Sequence, residues 1–216
     1  MTNSHVERLT GLSGVLIGVG AILLVPLYFM YPGPPPAWNV LTRNFINLLV
    51  VGLFIVFVTG FCHLVREAGA AWRWIASLAY AAGVSYAAVA LVAISLETGG
   101  VFGAPNGSID PTIDGPLADG SILLHGSVGR MLNALFLGAA GYAILGSEML
   151  SAWLGRAAYA IALVDLAFIP SIFFGKDAAQ FYSAIGWGNS AFAASLIAFW
   201  MLATGVALLR RRRLLA

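Results

Sequence analysis

Charge is what this 216-residue sequence has least of: Asp, Glu, Lys and Arg make up 9% of it, against 60% hydrophobic residues. A soluble domain carries about a quarter charged residues to cover its surface, so a soluble fold is excluded. Mean hydropathy is +0.90, the value of a polytopic membrane protein. Cysteine is nearly absent as well. Cys62 stands alone, which excludes an internal disulfide and a cysteine metal cluster. There is no phosphate-binding glycine loop, no HExxH and no GxSxG. Of the three histidines, His63 has Glu67 one turn away but no second histidine at its depth, so neither haem nor metal ligation is expected and no cofactor is implied. The net charge of +2 is sorted along the chain, which bears on topology and not on nucleic-acid binding.

What is present is a series of apolar runs. They predict an all-α bundle of six transmembrane helices in one domain, at about 11–31, 43–65, 74–97, 122–148, 152–174 and 182–209. The first run is too long for the apolar part of a cleavable signal and is expected to stay as a span. Gly14 and Gly18 form a GxxxG step that permits close helix packing, within the chain or in a dimer. Pro26 is expected to kink the first helix, and Pro32 to Trp38 to form a stiff loop. The one long loop, 98–121, carries the turn signals Asp110-Pro111, Asp114-Gly115-Pro116 and Asp119-Gly120. Its aspartates do not have calcium-loop spacing, and Asn106-Gly107-Ser108 fits a glycosylation sequon. Six spans bring both termini to one side. That side holds Arg8, Arg66, Arg73, Arg156 and Arg210 to Arg213, while the other holds Arg43, Lys176 and the acidic loop. The positive-inside rule then predicts cytoplasmic termini.

Two ionic side chains interrupt the apolar runs of the fourth and fifth spans, Arg130 and Asp165. A charge inside hydrocarbon costs at least ~2.5 kcal/mol, so each is expected to face a partner or a wet cavity. The intervening break is short, so the two helices are antiparallel neighbours. At ~1.5 Å rise per residue the two depths differ by roughly 6 Å, within the reach of an arginine. An outer-leaflet polar pocket is therefore expected around this pair. The alternative is a structural ion pair that fixes helix register. Asn133, one turn from Arg130, could satisfy its remaining donors. His125 at the mouth of the fourth span suits proton transfer, and Glu97, closing the third, could be a second carboxylate of the same vestibule. Asn47, Tyr86 and Asn189 are neutral polar groups at comparable depth, and Trp187 lines the pocket or belongs to the interfacial belt.

Three stretches carry a resemblance to a known group. They are Arg8-Leu9-Thr10-Gly11, His63-Leu64-Val65-Arg66, and Leu135-Phe136-Leu137-Gly138 through Gly141-Tyr142 to Trp153-Leu154-Gly155. With them the chain resembles a family of bacterial, largely actinobacterial, six-helix integral membrane proteins of unknown function. The resemblance implies the six-helix fold and a bacterial plasma membrane. It implies no reaction.

Two function classes follow. In the first, the chain is an intramembrane acid–base enzyme, a cyclase, isomerase or hydratase acting on a lipophilic small molecule. Asp165 is then the acid or base, a paired arginine favouring the base; Arg130 sets its protonation state or holds an oxyanion, and His125 and Glu97 relay protons to the outer aqueous side. In the second, it is a non-catalytic lipophile-binding or accessory membrane protein, or a small transporter subunit. Arg130 and Asp165 are then structural, and transport would require a homodimer. The void around Asp165 separates the classes. A filled helix interface supports the second, an open aromatic-lined cavity the first.

Overall fold

The structure is a computed structural model that describes residues 3–31, 33–103 and 110–215. The sequon at 106–108 and the middle of the outer loop lie outside the described residues. Among the described residues seven α-helices form: α1 (Asn3–Phe29), α2 (Ala37–Glu67), α3 (Arg73–Gly103), α4 (Pro116–Leu123), α5 (Gly129–Ser147), α6 (Ala152–Phe168) and α7 (Ala194–Leu215). A π-helical turn, Leu124–Val128, joins α4 to α5, and another, Gly188–Ala193, leads into α7. A 3-10 segment, Ile169–Phe174, continues α6. Among the described residues there is no strand, and six segments are long and apolar enough to cross a bilayer.

The helices pack as a ring, in the order α1, α2, α3, α5, α6, α7 and back to α1, with α4 laid against α3. The centre is filled with aromatic rings. Phe57 and Phe61 stack on α2, and Phe136 of α5 and Trp200 of α7 close on them edge-on, at centroid distances of 5.7–6.4 Å for the ring contacts with Phe54 included. The indole N–H of Trp200 donates to the carbonyl of Leu154 at 2.9 Å, so the polar atom of that ring is satisfied. Arg211 donates to the carbonyl of Met149 at 2.8 Å, which ties the end of α7 to the α5–α6 turn. Gly11 of α1 lies against Leu209 of α7, so both chain ends sit at the same, arginine-rich end.

Two seams are drawn close by glycine. Gly14 of α1 faces the carbonyl of Met201 on α7, and a Cβ there would come within 2.8 Å of it. The GxxxG step is therefore used inside the chain, against α7. Gly141 of α5 and Gly155 of α6 face each other in the same manner, each with its would-be Cβ about 3 Å from the other's carbonyl, 2.9 and 3.1 Å. These two glycines belong to the longest stretch that carried the family resemblance.

Several boundaries differ from those expected. α2 begins at Ala37, directly after the extended Pro36, so Trp38 is helical; Asn39 there donates to the carbonyl of Leu27 at 3.1 Å. α3 runs on to Gly103, although Thr98-Gly99-Gly100 reads as a break. Thr98 bonds back to the carbonyl of Ile94 at 2.8 Å, Gly100 packs on Pro111, and Val101 is buried. Tertiary packing carries the helix through its glycines. Asp119 and Gly120, read as a turn, lie inside α4, where Gly120 lets the backbone approach Leu96. Residues 182–186, expected to open the last span, are irregular, and Gly186 is pressed against the carbonyls of Gln180 and Phe181.

Candidate functional site

Arg130 lies in the first turn of α5, immediately after the π turn in which Gly126 leaves helical geometry (φ −75°, ψ −116°). Asp165 lies near the end of α6, just before the 3-10 segment begins at Ile169. Their side chains meet: Arg130 Nη1 donates to Asp165 Oδ1 at 3.1 Å. The pair is sealed, with side-chain exposure of 6% for Arg130 and 0% for Asp165.

The other two guanidinium nitrogens go to Asn189. Nε donates to Asn189 Oδ1 at 2.9 Å, and Nη2 donates to the Asn189 backbone carbonyl. Asn189 in turn donates through Nδ2 to Ser171 Oγ at 3.2 Å and to the carbonyl of Ala184 at 2.9 Å. Ser127 donates to the carbonyl of Ile169 at 3.0 Å. One network thus sews together three helices where each is interrupted, at Leu124–Val128, at Ile169–Phe174 and at Gly188–Ala193. Interrupted helices free backbone groups that would otherwise be bonded within the helix, and side chains must take them up. Two acceptors remain without a donor among the described residues, Asp165 Oδ2 and Asn133 Oδ1.

The other expected site residues distribute as follows. Asn133 does not supply Arg130's remaining partners, because Asn189 takes both donors. His125 sits half-buried in the π turn, with Nδ1 3.5 Å from Ser121 Oγ, a marginal contact. Glu97 does not join this vestibule. Because α3 continues past it, Glu97 faces α2 and pairs with Arg43, Nη2 to Oε1 at 3.6 Å. That second cluster also holds Tyr28, whose ring lies 4.5 Å from the Arg43 guanidinium carbon, with Asn47 beside its hydroxyl. Asn44 donates to Thr98 Oγ1 at 3.1 Å. Tyr86 packs edge-on against Phe54 at 5.4 Å and covers Gly129. Trp187 is half-exposed and rests on Phe181 at 4.5 Å, among the rings of Phe168, Tyr182, Phe174 and Phe192.

Arg43 is the residue that sequence reasoning left out of the site. Its signal was present: it shares a helix face with Asn47 at i,i+4 and heads an apolar run. The expected single pocket is therefore two polar clusters. One joins α5, α6 and the approach to α7, the other joins α1, α2 and α3.

Two clefts on the bundle surface are lined by residues of neither cluster. One cleft lies between α3 and α5 and the other between α1 and α7, and neither touches Arg130, Asp165, Arg43 or Glu97. Outside the buried clusters, Lys176 pairs with Asp119 at 2.5 Å and donates to the carbonyl of Ile113, bridging the two connections at that end. Both side chains are about half-exposed, at 46% and 51%. Removing Lys176 as alanine is expected to change stability by less than about 1 kcal/mol, measured as the thermal midpoint in detergent.

The arrangement is a filled, hydrogen-bonded helix junction. Comparison with known proteins yields no matching family model, no matching curated protein and no matching solved structure.

Proposed function

We propose that this chain is a non-catalytic multi-pass membrane protein of the lipophile-binding or accessory kind. Both termini face the cytoplasm, and Arg130, Asp165 and Asn189 act as the clasp that holds three interrupted helices together in the outer half of the bilayer. One observation carries this reading. Asp165 is wholly buried, and every nitrogen of its arginine is engaged within the protein. A base that reaches a substrate needs a space beside it for that substrate. The orientation rests on the arginines at the end shared by the two termini.

A second reading, the intramembrane acid–base enzyme, keeps one observation in its favour. Asp165 Oδ2 meets no donor among the described residues, and a buried acceptor left bare invites a ligand or water. The test is Asp165→Asn, purified from membranes beside the wild type, with thermal midpoint and co-purifying lipophiles as readouts. The non-catalytic reading expects a lower midpoint and no small lipophile trapped by the variant. A variant that keeps the wild-type midpoint and retains a defined small lipophile overturns it in favour of the enzyme.

A further inference from the structure

The cleft between α3 and α5 has a volume of about 400 Å³ and is lined by none of Arg130, Asp165 and Asn189, although Ala134 at its inner end lies one turn from Arg130. Its lining is apolar and includes Trp74, Leu78, Ala134, Leu135, Gly138 and Tyr142. Trp74 is the second residue of α3 and Tyr142 lies in the last third of α5, so the mouth is at the arginine-rich end. Ala134 lies eight residues deeper than Tyr142, so the cleft runs inward by about 12 Å. That is close to the roughly 15 Å of hydrocarbon in one leaflet, half of a ~30 Å core.

The mouth is built from the residues of a membrane interface. The 3-10 turn Ala70–Trp72 sets Trp72 against Tyr142, edge-on at 5.8 Å, and over Gly146. Arg73 follows, exposed, and enters none of the three ion pairs among the described residues. Arg66, at the same end, lies 6.0 Å from the ring of Tyr80. The floor is open because Gly138 has no side chain there. A Cβ at that position would meet nothing within 4 Å.

We propose that this cleft is a binding site for one anionic phospholipid, its acyl chain lying along Gly138 and its phosphate at Arg73. A slot one leaflet deep, with aromatic rings at the rim and an unpaired arginine beside them, matches a lipid in length, polarity and charge. A second copy of the chain fits less well. The cleft is lined by eight residues, against the roughly 20–30 per side of a stable protein interface. The assignment deepens the lipophile-binding reading but does not depend on Asp165, so the two can fail separately.

The test is native mass spectrometry of the full chain, titrated with phosphatidylglycerol or with phosphatidylcholine. The wild type is expected to retain one phosphatidylglycerol in preference to phosphatidylcholine. Arg73→Gln should weaken phosphatidylglycerol about fivefold and leave phosphatidylcholine unchanged. Gly138→Phe should weaken both, while its thermal midpoint stays near the wild type because the added ring enters empty space. Wild-type selectivity in Arg73→Gln, or wild-type retention of both lipids in Gly138→Phe, overturns the proposal. So does a shift from dimer to monomer in Gly138→Phe, which would make the cleft a contact between copies of the chain.

Discussion

With Arg130 replaced by alanine and Asp165 left in place, the protein is expected to lose about 3–5 kcal/mol of stability. In a chain of this length that is a fall of roughly 10 °C in the thermal midpoint. The reason is the company Asp165 keeps. Among the described residues its Oδ2 lacks a donor and its Oδ1 accepts from Arg130 alone. Removing the guanidinium leaves a carboxyl group buried in hydrocarbon with no partner. Asp165→Ala is expected to do less damage, because Arg130 would keep both of its bonds to Asn189. The double variant Arg130→Met, Asp165→Leu removes both charges and should regain part of the loss, since apolar side chains of similar size often replace a buried pair without penalty. Recovery will be incomplete. Asn189 Oδ1 and its backbone carbonyl then lose their donor, at about 1–3 kcal/mol. Thermal unfolding of the wild type, Arg130→Ala, Asp165→Ala and the double variant that combines those two alanines forms a double-mutant cycle. A coupling energy near zero would show that the pair does not hold the junction.

How much of this junction the sequence disclosed depends on the kind of signal. Arg130 and Asp165 were legible because a charge in an apolar run stands out, and because a fixed rise per residue converts position into depth. Asn189 was legible only as one polar group among several. What makes it the hub is its backbone carbonyl and the π turn that presents it, and no residue pattern announces a π turn. Glu97 was misassigned for a different reason. Local propensity puts a helix end at Thr98-Gly99-Gly100, and the contacts that override it, Gly100 on Pro111 and the burial of Val101, come from residues distant in the chain. Once the helix continues, Glu97 turns toward Arg43. The six spans themselves were legible because length and hydrophobicity are imposed by the bilayer and need no tertiary information.

The same contrast governs the glycine seams, and there the expected effect is largest. Gly205→Leu is expected to leave little folded protein in the membrane fraction. A Cβ at Gly205 would sit 2.6 Å from the carbonyl oxygen of Gly11, 2.8 Å from the amide nitrogen of Val15 and 3.0 Å from the carbonyl carbon of Gly14. All three are backbone atoms of α1. No side-chain rotation relieves the clash, so α1 and α7 must part, and overpacking that moves whole helices exceeds the usual 1–3 kcal/mol of a tight core. Helix association in a bilayer has no hydrophobic drive to compensate, because lipid is as apolar as the lost contacts. Gly52→Ala is the control. It lies on the exposed face of α2 with nothing within 4 Å of its would-be Cβ, so its yield and thermal midpoint should match the wild type. Gly14→Leu clashes with the carbonyl of Met201 across the same seam. Combined with Gly205→Leu, it should add little further loss, because a seam already forced open cannot be opened twice. A Gly205→Leu protein that is monodisperse with a wild-type midpoint would mean that α1 and α7 do not meet at this seam. The GxxxG step of α1 would then be free to pair with another chain.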